Sequence, residues 1–116
     1  MKDNILVTLS KQFAVDVVNI CTEIKDNRNG NVLVNQLLRS GTSVGANIHE
    51  GNYASSKADF INKFQVALKE CYETEYWLGL FKDTNFISDI EYNDLYLKCS
   101  KIRKLLIASI TTAKGK

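Results

Sequence analysis

The sequence predicts an all-α protein, an antiparallel up-down-up-down four-helix bundle, from three observations. The chain has no proline and only six glycines, and this composition permits long uninterrupted helices. Apolar residues recur at spacings of three and four in four segments, without the alternation that is typical of strands. Short polar breaks separate these segments. Because long helices joined by short loops pack as antiparallel neighbours, a four-helix bundle follows.

The length and composition indicate one globular domain spanning residues 1–116. A length of 116 residues is typical of a single domain. Hydrophobic residues make up 45% of the chain and charged residues 24%, values that exclude disorder for most of it. We expect no signal peptide and no membrane span, since no apolar run reaches about 18 residues. Three scattered cysteines without paired spacing predict buried thiols and a cytoplasmic protein.

The first two helices are predicted over about residues 3–25 and 32–50. Spacings of three and four in the first give an apolar face of Leu6, Leu9, Phe13, Val17, Ile20 and Ile24. Gly30 lies in the polar break that follows, and Gly51 is the expected stop of the second helix. Gly41 and Gly45 lie inside that helix. Each is expected to lower the stability of the helix by about 1 kcal/mol relative to alanine. Close approach of a neighbouring helix is a common reason for such residues.

The third and fourth helices are predicted over about residues 56–83 and 89–113, and both have start signals. Ser56 is followed three residues later by Asp59, which makes a capping box with a short acid. Ser88 is followed at the same distance by Glu91, which makes a full capping box. The two boxes fix where the third and fourth helices begin.

The third helix is apolar over too wide an arc for a helix with one buried side. Phe60, Phe64 and Leu68 begin one face, while other large apolar residues lie opposite or on the flanks. A helix that is apolar all round is buried on both sides, so we expect a homo-oligomer. The residues predicted for the subunit interface are Val66, Tyr76, Trp77, Leu80 and Phe81.

A polar stripe on the second helix predicts an interhelical network with the third. In an antiparallel hairpin, Arg39 comes level with about Leu68, within reach of three glutamates among which the sequence does not choose. The predicted network comprises Arg39, Ser43, Asn47, Glu50, Glu70, Glu73 and Glu75. Such a network either fixes helix register or forms a site for a phosphate or a carboxylate.

The residues that common catalytic and metal sites require are missing from the sequence. His49 is the single histidine, so no metalloprotease, di-iron or Ser-His-Asp set can be assembled. The glycines at 41 and 45 lie within a helix and lack the lysine of a phosphate loop. We therefore expect a protein that is not an enzyme, with no catalytic residues, metal, cofactor or small-molecule substrate.

Basic residues form a candidate nucleic-acid surface, although the total charge does not demand one. Lys and Arg number 15 against 13 Asp and Glu, and the isoelectric point is about 8.4. Cations near a helix C-terminus also complement its dipole. Repeated around a ring of subunits, they would make a basic rim able to hold phosphates. The candidates are Lys57, Lys63, Lys98, Lys101, Arg103 and Lys104.

Two sequence blocks carry a resemblance to a known family. The first is QLLRSGTSVGANIHEG at residues 36–51. The second comprises Asp59-Phe60, ALKE at residues 67–70 and ETEYWL at residues 73–78. These blocks resemble the bacterial four-helix-bundle proteins encoded in 23S rRNA intervening sequences, often called S23-type. The sequence departs from the family at Gly79, where Glu is commoner.

The resemblance implies an antiparallel four-helix bundle that assembles into a homopentameric ring with a central channel. The family's recurrent positions here are Arg39, Ser43, Asn47, Glu50, Glu70, Glu73 and Trp77, and none has an established catalytic role. A related branch, the accessory variability proteins of diversity-generating retroelements, binds a reverse transcriptase and nucleic acid. The resemblance therefore favours a role near RNA or DNA. The alternative is an adaptor for a protein partner, such as a reverse transcriptase, without direct nucleic-acid contact.

Overall fold

The computed structural model describes residues 4–28 and 32–115, and within these ranges every regular element is a helix. The helices are α1 (Asn4–Arg28), α2 (Val32–Asn52), α3 (Lys57–Asp83) and α4 (Asp89–Lys114). Each packs against its neighbours along the chain, and α4 returns to α1, so the four close a bundle of 48 × 21 × 19 Å. The predicted all-α four-helix bundle is confirmed.

A continuous apolar core runs along the bundle axis. Buried side chains recur at spacings of three and four on every helix, as the sequence pattern predicted. Phe13, Phe64 and Phe81 are its largest fully buried members. The hydroxyls of Ser40 and Thr74 are also buried, and their oxygens lie 3.0 Å apart between α2 and α3. This pair was not predicted, because small hydroxyl residues in a helix give no periodic signal.

The helix starts that the sequence predicted are confirmed at α3 and α4. The Asp59 N–H donates to the Ser56 hydroxyl over 3.0 Å. At α4 the capping box is complete: the Glu91 N–H donates to the Ser88 hydroxyl, and the Ser88 N–H donates to the Glu91 carboxylate. These bonds satisfy backbone donors that the first helical turn leaves unpaired.

Two glycines of α2 allow neighbouring helices to approach closely. A Cβ at Gly41 would lie 2.9 Å from both γ-carbons of Val17 on α1, so the predicted close approach is confirmed. A Cβ at Gly51 would lie 2.7 Å from the ring of Phe64 on α3. The prediction that Gly51 stops α2 was wrong, since the helix continues through it to Asn52. Gly51 admits the phenylalanine ring instead.

The other helix bounds differ from the predicted ones by at most three residues. α1 continues past Lys25 to Arg28, because the polar residues after Lys25 include no proline or glycine before position 30. The predicted start at Asp3 and the predicted break at Gly30 lie outside the described residues.

One helix among the described residues, Ile5–Lys25, is long and apolar enough to cross a membrane by length and composition alone. The predicted absence of a span rested on a different criterion, an unbroken apolar run, which Lys11 and Asp16 interrupt. Core helices of bundles satisfy the same length and composition test, and Phe13 and Val17 of this segment are buried in the core.

Gly79 and Gly41 are expected to respond in opposite ways to substitution by alanine. No atom lies within 4 Å of a Cβ at Gly79, so Gly79→Ala should raise the free energy of unfolding by about 1 kcal/mol through helix propensity. Gly41→Ala should lower it by about 1–3 kcal/mol, because the new methyl group overlaps Val17. Urea unfolding followed by circular dichroism measures both. A destabilised Gly79→Ala variant would show that this position has a packing role.

Candidate functional site

Arg39 of α2 reaches across to two glutamates of α3. Its Nη1 lies 3.3 Å from Oε1 of Glu70, and its Nη2 contacts the Glu73 carboxylate. The indole N–H of Trp77 donates to the same Glu73 carboxylate over 3.1 Å. We call these four residues the Arg39 cluster. Of the three candidate glutamates, Arg39 therefore pairs with two, Glu70 and Glu73, which lie one helical turn apart on α3.

The Arg39 cluster lies at the surface of the bundle. The Arg39 side chain is 48% exposed, against 36% for Glu73 and 17% for Glu70. The Trp77 indole, followed by Arg39, holds the pKa of Glu73 below its ordinary value of 4.5. The bond to Glu73 raises the pKa of Arg39. Because water screens such pairs, we expect the cluster to contribute about 1 kcal/mol or less to stability.

The remaining members of the predicted polar network form separate contacts, so the single network was wrong. Asn47 Nδ2 donates to the Ser43 carbonyl over 2.9 Å, a bond within α2. Glu50 pairs with Lys63 of α3 at 3.0 Å. Glu75 points towards α4 and pairs with Arg103. The members of the polar stripe on α2 therefore have different partners: Arg39 pairs with Glu70 and Glu73, Glu50 pairs with Lys63, and Asn47 bonds within α2.

The Glu75–Arg103 pair is more enclosed than the Arg39 cluster. Arg103 Nε donates to Glu75 over 2.8 Å, and the two side chains are 17% and 13% exposed. The guanidinium also donates to the Ser100 hydroxyl over 3.1 Å, and it lies over the ring of Tyr72. The bond to Glu75 raises the pKa of Arg103.

Three of the six predicted nucleic-acid residues have acidic partners, which weakens the basic surface. Lys63 and Arg103 pair with the glutamates named above, and Lys98 pairs with Asp16 and Asp94 at 2.8 Å and 3.1 Å. The hydrogen bond to Asp16 is the main reason that the pKa of Lys98 is raised. The sequence shows Asp94 one helical turn before Lys98, but it could not show Asp16, which lies 82 residues away on α1. The other three candidates are exposed: Lys57, Lys101 and Lys104.

One of the five residues predicted for the subunit interface is not available for it. Phe81 is fully buried in the core of its own chain, so its assignment to an intermolecular contact was wrong. It follows Leu78 by three residues and continues the core stripe. Tyr76 is 63% exposed and Val66 36%. Trp77 and Leu80 are half-buried.

Exposed apolar side chains are not confined to α3. Helices α1 and α4 also present such residues, which the sequence reasoning missed: Ile5, Val15, Val18, Ile90, Leu97 and Ile107. The pattern on α1 was available in the sequence, since Val15 and Val18 lie opposite the core positions Phe13 and Val17. The outer surface of the bundle is therefore apolar at several places.

Two surface cavities lack the residues of a recognisable catalytic site. A cavity of about 270 Å³ lies between α1 and α4 and has acidic walls that include Asp16 and Glu23. A second, of about 310 Å³, lies between α1 and α2 beside Lys11 and His49. His49 is exposed, and its ring centroid is 5.2 Å from that of Tyr53. Within residues 4–28 and 32–115 no group of three His, Cys, Asp or Glu could hold a metal ion.

The three cysteines are buried free thiols, as the sequence predicted. Burial raises the pKa of Cys21 to about 11. Hydrogen bonding with Cys71, together with burial, raises the pKa of Cys99. Because the thiolate is the reactive form, the raised pKa values of Cys21 and Cys99 keep these two thiols protonated and weakly reactive at neutral pH.

Replacing the Trp77 indole should change the titration of Glu73. The folded-state pKa of Glu73 is lowered, so its contribution to stability is present above about pH 4.5 and is lost as the pH falls through the folded value. Trp77→Phe removes the indole N–H, which is the main cause of the lowered pKa, and should raise the pKa of Glu73 towards 4.5. A carboxyl carbon NMR titration measures it, with Glu91 as an internal control. An unchanged Glu73 pKa would contradict the indole bond.

The chain is similar to known proteins in both sequence and fold. A sequence profile of the family described as "23S rRNA-intervening sequence protein" matches residues 2–108. The search of curated proteins finds no match. Among solved structures, the chain is similar to a protein of unknown function from the S23 ribosomal protein family of Bacteroides thetaiotaomicron VPI-5482. The two are 45% identical with a TM-score of 0.88, and the alignment covers 90% of this chain and 97% of that one.

The profile match includes both sequence blocks on which the resemblance was based, residues 36–51 and 59–78. The Arg39 cluster and Glu75 lie within the same region. The chain therefore belongs to the family of 23S rRNA-intervening sequence proteins.

Proposed function

We propose that the protein is a non-enzymatic, self-associating scaffold of the cytoplasm that binds RNA. The observation that carries the self-association is the outer side of α3, where Val66 and Tyr76 remain exposed while Phe64 and Leu78 complete the core. Exposed apolar patches typically mark interfaces. Family resemblance favours five subunits in a ring.

The RNA part of the proposal is supported by the exposed cations and by the family. Lys101 and Lys104 lie on the outer side of α4, and Lys57 begins α3. The Arg103–Glu75 pair places Lys101 and Lys104 near the middle of the bundle, whereas Lys57 lies at the end where α3 begins. A ring would repeat these lysines over its outer surface and add their attraction for phosphates. The family's description refers to a ribosomal RNA gene, so RNA is the preferred nucleic acid.

A charge on the outer side of α3 should weaken the proposed assembly. Tyr76→Glu places a carboxylate where the tyrosine is 63% exposed, so the fold of one chain should tolerate it. We expect the mass in solution to fall to that of smaller species, as measured by sedimentation or light scattering. Ala58→Glu, an exposed position in the first turn of α3, adds the same charge as a control. An unchanged mass for Tyr76→Glu would remove α3 from the interface.

The exposed lysines should contribute to RNA affinity, and the paired one should not. Fluorescence anisotropy with labelled structured RNA should show log affinity falling linearly with log salt. Lys101→Gln should reduce the magnitude of that slope by about 1. Lys98→Gln should leave it nearly unchanged, because Asp16 and Asp94 already neutralise Lys98. Both lysines are exposed, so equal effects of the two variants would contradict the role of ion pairing.

The second candidate function, an adaptor for a protein partner, is favoured by the same ion pairs. Lys63, Lys98 and Arg103 have carboxylate partners, while apolar side chains are exposed on α1 and α4. An absence of RNA binding even at about 50 mM salt would favour this function, since low salt strengthens phosphate contacts.

A further inference from the structure

Tyrosines and cations alternate along the surface where α3 packs against α4. At one end, Nζ of Lys82 lies 4.6 Å from the ring centroid of Tyr92. The Tyr92 ring stacks on that of Tyr96, with centroids 5.5 Å apart and planes inclined by 25°. Neither the polar stripe nor the predicted rim includes these three residues. They form a row of one ammonium group and two aromatic rings at the helix boundary.

The other end of this surface repeats the pairing of a cation with a tyrosine. The Arg103 guanidinium carbon lies 5.5 Å from the ring centroid of Tyr72, which is 51% exposed. Glu75 and Ser100 hold the guanidinium in place through hydrogen bonds of 2.8 Å and 3.1 Å. Its orientation is therefore fixed before any ligand arrives, which lowers the entropy lost on binding.

Gly79 leaves the middle of this surface open. Residues 72, 75, 79 and 82 follow each other at spacings of three and four, so they share one side of α3. Glu75 contacts Arg103 and Lys82 contacts Tyr92, and Gly79 lies between them, level with about Tyr96. No atom lies within 4 Å of a Cβ built there. We call the surface the tyrosine seam, with the members Tyr72, Gly79, Lys82, Tyr92, Tyr96 and Arg103.

We propose that the tyrosine seam binds unpaired RNA, with bases stacking on the rings of Tyr72 and Tyr96. Lys82 and Tyr96 cover the two faces of Tyr92, and the Arg103 guanidinium supports Tyr72. Aromatic rings and guanidinium planes are the groups on which unpaired bases stack, and such contacts tolerate any base. Lys104 follows Arg103 and is exposed on the adjoining outer side of α4, where it meets the phosphates. The inference rests on the proposed RNA function and gives it a site and a preferred form of RNA.

The dimensions and charge of the seam agree with this ligand. From Tyr92 to Arg103, α4 rises roughly 16 Å, the length of about five stacked nucleotides at 3.4 Å each. Glu75 neutralises Arg103, so little net charge remains along the seam beyond Lys82. A duplex, whose bases are hidden and whose phosphates dominate its binding, gains less from such a surface than a single strand does.

The test compares the affinities of the full-length chain for a labelled 15-nucleotide oligouridylate and for a 15-base-pair RNA duplex. The wild type should bind the single strand more tightly. Gly79→Glu inserts a carboxylate into the open middle of the seam and should lower single-strand affinity about tenfold or more, equivalent to losing roughly one stacked base. Gln12→Glu on α1, exposed and outside the seam, makes the same change in net charge and should alter affinity less than about threefold.

Tyr96 provides a second test that does not depend on charge. Tyr96→Ala should lower single-strand affinity about tenfold, while Tyr96→Phe keeps the ring and should retain wild-type affinity. Gly79→Glu replaces glycine by a better helix former at an open position, so its effect cannot be ascribed to unfolding. Equal losses in Tyr96→Ala and Tyr96→Phe would overturn the stacking role.

The remaining outcomes distinguish a failure of the proposed binding site, the tyrosine seam, from a failure of the proposed RNA-binding function. A wild type that binds neither RNA at about 50 mM salt overturns both. Binding that Gly79→Glu leaves unchanged overturns the seam alone. If Gly79→Glu lowers the mass in solution together with the affinity, the seam is a contact between copies of the chain, and the inference is wrong. Tighter binding of the matched oligodeoxythymidylate overturns the assignment to RNA.

Discussion

Close packing of α2 against both of its neighbours sets the geometry of the bundle. Gly41 gives α1 room for Val17, and Gly51 gives α3 room for Phe64. Methyl groups at these positions would overlap the neighbouring side chains, so larger residues would force the helices apart. With the α2–α3 register fixed at Gly51 and by the buried Ser40–Thr74 contact, Arg39 comes level with Glu70 and Glu73. The same register leaves the opposite side of α3, with Tyr76, outside the core.

The sequence predicted the features that depend on helical spacing and backbone chemistry. Core stripes recur every three or four residues, and the caps at Ser56 and Ser88 depend only on residues within one turn. Those rules also explain the helix bounds. Gly51 was misread because a glycine before a polar segment looks the same whether it ends a helix or admits a neighbouring ring. Phe81 was misplaced because a position on the flank of a wide apolar arc faces inward or outward according to the tilt of the helix.

The ion pairs were harder to predict because their partners lie on different helices. A long side chain such as Arg39 reaches several residues on an antiparallel neighbour. The sequence therefore indicated three candidate glutamates, and the register of α2 against α3 selects two of them. Arg103 and Lys98 were assigned to a free basic surface from their own helix alone. Two of their partners, Glu75 and Asp16, lie on α3 and α1, whereas Asp94, the second partner of Lys98, lies one turn away on α4 and was overlooked. Predicting them requires the bundle geometry to be known first.

The two proposed surfaces of α3 adjoin each other, and this has a consequence for binding. Tyr72 belongs to the tyrosine seam and Tyr76 to the outer side, and the two lie one helical turn apart. Assembly through the outer side would therefore bring the seams of neighbouring subunits near their shared boundary. A single stacked base contributes only about 1–3 kcal/mol, so one seam alone binds weakly. In the proposed assembly, several seams would engage the same strand at a high effective concentration, and tight binding would then require no further contact within any subunit.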